Sequence, residues 1–227
     1  ICHLCRASAR IGRLWYTGFG RAARHRQTLV DSRRWLRCER AAGNTSPLLG
    51  LVGFDIWRVY FDPLHALDLG LYQVIACSAL AELLKASVGL FAGALLLHRV
   101  KAANRSYQRW CKERGIRNRC RRITVAFVKG KHPRITQRDA KGAAMRSLVR
   151  WLEEVARRRV DSTHGRIRHL LLQSWCRAED AMSGGRWLAP EAQALLADTV
   201  ELALSCHNWL AEESVRLGTS LWKVLPK

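Results

Sequence analysis

Hydrophobic residues recur every three or four positions through the second half of the chain. That spacing places them on one side of an α-helix, so each stripe predicts an amphipathic helix whose apolar face is buried. Pro190-Glu191 suits the first turn of the last of these helices. The stripes are Met145, Leu148, Val149, Leu152 and Val155; Ile167, Leu170, Leu171, Trp175 and Met182; and Leu195, Thr199, Leu202, Cys206 and Trp209 or Leu210.

An earlier segment, residues 67–97, is apolar on nearly all sides. Charged residues divide it, and no uncharged run exceeds 13 residues, whereas a membrane-spanning helix needs about 20. The segment therefore predicts buried helices, with a break near Gly89 or Gly93. Residues 99–114 continue as a basic helix.

Two short segments have the composition of β-strands. Residues 57–61 and 123–128 are rich in β-branched and aromatic side chains, which favour extended backbone. Asp62-Pro63 closes the first segment, and Asp62 can cap the helix that follows. The predicted fold class is mainly α, with one or two short strands near residues 57–62 and 123–128.

Charge is distributed unevenly along the chain. Its 227 residues hold 39 Lys+Arg against 18 Asp+Glu, which gives a formal net charge of +21. Hydrophobic residues make up 48%, too many for a disordered basic tail. We predict a basic C-x-x-C segment of loops and a short strand over residues 1–60, and a helical domain over residues 61–227. A protein this basic is expected to bind a polyanion, usually nucleic acid.

The densest positive charge lies in residues 99–138, which carry 14 Lys+Arg and a single acid, Glu113. Guanidinium groups suit phosphate contacts because their geometry is bidentate, and Tyr107 and Trp110 could stack on bases. The alternative is a solvated surface in an arginine-rich protein. The candidate nucleic-acid-binding residues are Arg114, Arg117, Arg119, Arg121, Arg122, Lys129 and Lys131.

Cys2 and Cys5 form a C-x-x-C pair, whose two thiolates can hold one tetrahedral zinc ion. A structural zinc site needs four ligands, and we take Cys2, Cys5 and His65 as predicted metal ligands. A redox pair would need a thioredoxin-like context that the sequence lacks, and two free thiols are the remaining alternative. Residues that could complete a zinc site are His3, His25, Cys38, Asp62 and His65.

Asp62-Pro63-Leu64-His65 places a carboxylate and an imidazole three residues apart, just before the apolar segment. Asp68 lies one turn further on and could orient His65. The alternative is an N-cap aspartate followed by a packed histidine. The sequence contains no nucleophile elbow, P-loop, zinc-protease or Rossmann motif, so no catalytic residue is predicted.

The order of these motifs resembles that of CACTA-type transposases, including the transposon-derived reading frames of dinoflagellates. The resemblance covers most of the chain. The matching features are Cys2-x-x-Cys5, an aromatic and basic stretch with Trp15 and Trp35, Asp62-x-x-His65-x-Leu67-Asp68-Leu69, and the tail at residues 221–227.

The resemblance implies a larger protein with an RNase H-like core, in which three carboxylates hold two divalent ions such as Mg²⁺ for strand transfer. This chain would be the helical insertion between the second and third carboxylates, a fragment that contacts DNA or supports assembly without its own catalytic residues. A nuclear location and a homo-oligomer are further implications. The alternative is a basic helical scaffold that binds RNA or an acidic protein and is unrelated to transposition.

Overall fold

The computed structural model describes residues 22–43, 47–52, 55, 64–129, 135–136, 138–183, 188–219 and 221–222. These residues are mainly α-helical and include no strand, which confirms the helical part of the predicted fold. The chain divides between Asp62 and Pro63 into two compact units. The described α-helices are α1 (Ser32–Ala41), α2 (Tyr72–Leu83), α3 (Leu96–Glu113), α4 (Gly142–Ala156), α5 (Thr163–Ser183) and α6 (Pro190–Arg216).

In the first unit, α1 begins at a capping aspartate. The Asp31 carboxylate accepts a hydrogen bond from the backbone N–H of Arg34 at 2.8 Å, which satisfies an amide that the helix itself leaves free. The sequence pattern indicated only loops and short elements here, whereas the structure has α1, a helix with no fully buried side chain. The strand predicted near residues 57–62 lies outside the described residues.

The second unit contains the buried helix that the apolar segment predicted. A π-helix, Leu64–Leu71, leads directly into α2, and α4 packs against both. The chain then breaks before α3 at Gly89, whose φ of 60° is a left-handed conformation that favours glycine. In the described part of the chain, no helix is long and apolar enough to cross a membrane.

Helices α4 and α5 supply most of the remaining core. The whole predicted stripe of α4 is buried, and on α5 Leu171 and Trp175 are buried against it. The Trp175 ring meets Tyr72 of α2 edge-on, with ring centroids 5.7 Å apart. The spacing therefore located the inward face of α4 correctly and that of α5 in part, since Ile167, Leu170 and Met182 are only partly buried.

The stripe predicted on α6 is partly wrong. Leu195 and Leu202 are 57% and 41% exposed, although both were expected to be buried. Thr199, Cys206 and Leu210 of the predicted stripe are buried, as expected. The buried face also includes Ala203 and Ser214, which are small enough to fit where α6 packs along α5. The pattern of large apolar residues does not mark these two small residues, and it therefore placed Leu195 and Leu202 on the wrong side.

The strand predicted at residues 123–128 is also wrong. The segment contains a short 3₁₀ helix, Val125–Phe127. The Ile123 N–H donates to the Asn104 side-chain oxygen on α3 at 2.9 Å, and the Phe127 N–H bonds back to the Thr124 carbonyl at 3.2 Å. With its amides satisfied by α3 and by its own turn, the segment keeps Ile123 and Phe127 buried without a neighbouring strand.

A buried carboxylate joins α2 to α5 and to the C-terminal segment. Glu82 accepts hydrogen bonds from His164 Nε2 at 2.9 Å, Arg168 Nη1 at 3.1 Å and Trp222 Nε1 at 2.6 Å. Burial by itself would raise the pKa of Glu82, but these hydrogen bonds and the Arg168 charge outweigh it and hold the pKa below its usual value. Glu82 is therefore charged in the folded protein, and its hydrogen bonds link α2 to α5 and to Trp222.

Trp222 anchors the end of the chain in this region. It is fully buried, and its backbone N–H donates to Ser78 Oγ at 3.0 Å. Its φ of 56° is costly for a residue with a side chain, so these contacts must offset the strain. Its ring also lies 6.3 Å from that of His207 on α6, whose Nε2 is buried without a hydrogen-bond partner in the described structure.

A leucine-to-alanine substitution should change the unfolding free energy by different amounts on the two faces of α6. Leu210→Ala removes a fully buried side chain and should lower the free energy of unfolding by about 2–5 kcal/mol. Leu195→Ala, on the exposed face, should change it by less than about 0.5 kcal/mol. Urea denaturation of both variants measures the difference, and equal losses would contradict the observed rotation of α6.

His207 should make stability depend on pH. Burial lowers its pKa from 6.5 to about 4. Between these values the unfolded chain binds a proton that the folded protein excludes, so stability should fall as pH drops through this window, by up to about 3 kcal/mol. Above pH 6.5 both states are neutral, and the contribution vanishes.

Urea denaturation at several pH values, compared between wild type and His207→Phe, isolates this contribution from that of the carboxylates. The difference in unfolding free energy between the two proteins should change between pH 6.5 and 4. A difference that stays constant across this window would show that His207 titrates normally.

Candidate nucleic-acid interface

The basic helix α3 is strictly two-sided. Its buried residues include Ala103, Tyr107 and Cys111, spaced four residues apart so that they face the core. The opposite side carries exposed cations at matching intervals. They are Lys101, Arg105, Arg109 and Lys112.

An aromatic cluster fixes the rotation of α3. The rings of Tyr107 and Trp110 are stacked at 6.4 Å, and Tyr107 meets Trp151 of α4 edge-on at 5.4 Å. Phe91, in the segment before α3, adds a contact to Trp151 at 6.1 Å. Aromatic pairs at these distances stabilise beyond the area they bury, so α3 cannot turn its charged side inward without losing them.

A groove of about 520 Å³ lies between α3 and the C-terminal part of α4. Arg105, Arg109 and Arg114 line it on the α3 side, and Arg158 lines it just after α4. Two acids, Glu113 and Glu154, also line the groove. Four guanidinium groups therefore surround one depression, and cations exceed acids by two.

Arg114 closes one end of this groove. Its Nη2 lies 3.0 Å from both carboxylate oxygens of Glu154, and its guanidinium carbon lies 4.8 Å from the centre of the Trp110 ring. The side chain thus ties the end of α3 to α4 by an ion pair and covers the Trp110 face by a cation–π contact. Arg114 is a predicted site residue, but much of its charge is already matched.

A second cavity, of about 610 Å³, lies between α3 and the segment after it. Its walls are mostly apolar and include Val100 and Ile123, with Lys101, Arg105 and Arg122 at its polar side. Arg105 lines both cavities. The cations of α3 therefore form one continuous basic surface that includes the predicted residue Arg122.

The other predicted residues lie in the segments after α3. Arg117, Arg119 and Arg121 are exposed in a loop that Gln108 holds against α3, through Nε2 hydrogen bonds to the carbonyls of Cys120 at 2.9 Å and Arg121 at 3.3 Å. Lys129 is exposed after the 3₁₀ helix. Lys131 lies outside the described residues.

The expectation that Tyr107 and Trp110 stack on bases is wrong. Tyr107 is fully buried, and its hydroxyl accepts a hydrogen bond from the Cys120 N–H at 3.1 Å. Trp110 is 8% exposed, and Arg114 occupies its face. Both rings serve the packing of α3 on α4, because the helix buries the positions that carry them.

The residues with the best placed charge were not among the sequence candidates. Within the described part of the chain, Arg105, Arg109 and Arg158 form no ion pair with an acid. The spacing of Lys101, Arg105 and Arg109 at four-residue intervals was the available signal, since it predicts one helical face. Arg158 had no such signal, because only the fold brings it to α3.

Asp68, from the predicted Asp62–His65–Asp68 motif, has another partner. It is 1% exposed, and its Oδ2 lies 2.9 Å from Arg146 Nε and 2.8 Å from Arg146 Nη2. The Asp68 carboxylate is thus held by α4. Asp62 and the side chain of His65 lie outside what the structure describes, so the proposed orientation of His65 stays a prediction.

The predicted zinc-ligating side chains also lie outside the part of the chain that the structure describes. Cys2, Cys5 and the side chain of His65 lie outside the described residues, and among those that are described no group of three His, Cys, Asp or Glu could hold a metal ion. The described cysteines, including exposed Cys38, carry free thiols. Zinc binding therefore stays a prediction.

Comparison with protein-family models, with curated proteins and with solved structures gives no match for this chain. The resemblance to CACTA-type transposases accordingly rests on the order of motifs in the sequence alone. The arrangement of α3 and its two flanking cavities has to be interpreted from its own chemistry.

The two arginine–carboxylate pairs of this region should differ in strength. Arg114→Gln breaks a pair whose side chains are 44% and 28% exposed and should cost less than about 1 kcal/mol of unfolding free energy. Arg146 is itself 51% exposed, but Arg146→Gln leaves the Asp68 carboxylate, 2% exposed, without its cation and should cost about 1–3 kcal/mol. Urea denaturation at pH 7 compares them, and an Arg114→Gln loss as large as that of Arg146→Gln would contradict this ranking.

Proposed function

We propose that the helical unit binds DNA through the exposed basic side of α3 and the groove beside it. The observation that carries this proposal is the row Lys101, Arg105, Arg109 and Lys112, which shares no ion pair with an acid in the described structure. Cations that the fold does not neutralise are available to an external polyanion.

The dimensions of the row suit a nucleic-acid backbone. At 1.5 Å per residue, Lys101 and Lys112 are separated by about 16 Å along the helix axis. Duplex DNA carries one negative charge per about 1.7 Å of its axis, so such a row can neutralise several phosphates. Arginine supports the proposal further, because its planar group binds phosphate oxygens in pairs.

The site supports binding to the backbone rather than reading of bases. Tyr107 and Trp110 are covered, and most of the charged groups that line the groove are long, flexible arginine side chains. Contacts of this kind position a protein on nucleic acid without specifying a sequence. Binding in the role of a helical insertion within a transposase-like protein is the interpretation that the motif order favours.

The buried carboxylates have structural roles, in contrast to the exposed cations proposed to bind DNA. Asp68 is held by Arg146, Glu179 lies 3.3 Å from Arg150, and Glu82 is held by Arg168. Each of these acids stabilises packing between elements of the unit. In the proposed parent protein, the carboxylates that hold Mg²⁺ for strand transfer would therefore lie elsewhere.

RNA or an acidic protein is the alternative partner, because the exposed cations of α3 would attract other polyanions as well as DNA. A row of cations alone does not separate a DNA backbone from an RNA backbone. Fluorescence anisotropy with duplex DNA, duplex RNA and a polyglutamate peptide as competitors ranks the three. Tighter binding of RNA or of the peptide than of DNA would replace DNA as the proposed partner.

The salt dependence of DNA binding tests the proposal directly. Affinity for a fluorescein-labelled duplex should fall steeply between 50 and 200 mM KCl, as counterion release requires. The double variant Arg105→Gln/Arg109→Gln should bind more weakly and should reduce the slope of log K against log salt by about 2, roughly one for each phosphate that is no longer neutralised.

Arg166→Gln/Arg177→Gln is the matched control, because it removes two exposed arginines from α5 with the same change in net charge. Its salt slope should equal that of wild type. Equal effects of the two double variants would mean that binding follows net charge alone and not the α3 surface.

A further inference from the structure

A third cavity lies at the N-terminal end of α5. It measures about 360 Å³, and the ends of α2 and α6, the loop after α4 and the first turns of α5 line it. Its walls carry three cations, Lys85, Arg159 and Arg168, against two acids, Glu82 and Asp161. None of these cations belongs to the α3 surface, so the cavity is a separate polar site.

The negative charge of Glu82 is already used inside the protein. Its carboxylate binds Arg168, His164 and Trp222, as described above. In the described structure, neither Lys85 nor Arg159 forms an ion pair with an acid. Only Asp161 opposes these two cations at the cavity, which therefore has an excess of positive charge.

Two buried N–H groups at this cavity lack acceptors. Arg168 is 5% exposed, and its Nε has no hydrogen-bond partner in the described structure. The Nε of Arg159 is also buried and also lacks a partner there. A buried donor without an acceptor is unfavourable. An anion in the cavity would supply acceptor oxygens for guanidinium groups from both residues.

The backbone brings α5 close to Arg159. Ser162 caps the helix by accepting the Gly165 N–H at 3.0 Å. A Cβ at Gly165 would lie 2.4 Å from the Arg159 carbonyl oxygen, so only glycine permits this approach. The N-terminus of α5, a 21-residue helix, thus adds its positive dipole end to the cations around the cavity.

We infer that this cavity binds a phosphate group, held by Arg159, Arg168 and Lys85 at the start of α5. The ligand is a phosphate monoester dianion or inorganic phosphate, which offers several oxygens to converging N–H donors. Its source is either free phosphate or the terminal phosphate of a nucleic acid. The inference goes beyond DNA binding by α3, since inorganic phosphate can occupy the site without any nucleic acid.

Thermal unfolding with inorganic phosphate tests the inference. Potassium phosphate at 10 mM should raise the Tm of wild type by about 3 °C relative to KCl of equal ionic strength. The backbone amide signals of Thr163 and His164 should shift in NMR spectra during the same titration. No rise in Tm above KCl, or no shift at α5, would overturn the inference.

Three single variants locate the effect. Arg159→Gln should abolish the phosphate-dependent rise in Tm, and Lys85→Gln, an exposed substitution that leaves the fold intact, should reduce it by at least half. Arg157→Gln removes an exposed charge two residues from Arg159 but outside the cavity, and it should keep the full rise. Equal losses in Arg157→Gln and Arg159→Gln would overturn the site.

Oligonucleotides with a 5′-phosphate or a 5′-hydroxyl identify the source. Tighter binding of the phosphorylated strand, lost in Arg159→Gln, would assign the cavity to a nucleic-acid end. Equal binding of both strands, with the response to inorganic phosphate retained, would assign it to free phosphate. Failure of DNA binding through α3 would leave the inorganic-phosphate result unaffected, so the two proposals fail separately.

Discussion

The packing of Tyr107, Trp110 and Trp151 between α3 and α4 determines where the charge of this protein lies. With three large rings directed inward, the positions four residues apart on the other side of α3 must face solvent. The same packing places Arg158, just after α4, in the same groove as Arg109. The basic surface is thus a consequence of core packing, and weakening the aromatic cluster would scatter the cations that form it.

Three acids of the helical unit have their charges matched inside it. Asp68, Glu82 and Glu179 are buried and bind arginines of α4 and α5, where breaking any pair would leave an uncompensated charge. These ion pairs hold the helices in place, whereas Lys101, Arg105, Arg109 and Lys112 of α3 form no ion pair with an acid in the described part of the chain.

The sequence predicted those parts of the structure that depend on local pattern. The inward face of α4, the buried segment before Gly89 and the basic helix α3 follow from spacing alone. The pattern failed where tertiary contacts decide. The amides of Ile123 and Phe127 bond to Asn104 and to the segment's own turn rather than to a strand. The buried face of α6 includes Ala203 and Ser214, small residues that hydrophobicity does not mark.

The candidate site shows the same limit. A local charge count selected Arg114, which the fold pairs with Glu154, and it could not select Arg158, which reaches the groove only through the packing of α4 on α3. NMR observation of the arginine Nε–H signals during titration with duplex DNA tests the α3 surface most directly. Arg105, Arg109 and Arg158 should shift together and before the arginines of α5; shifts confined to other arginines, with these three unchanged, would contradict it.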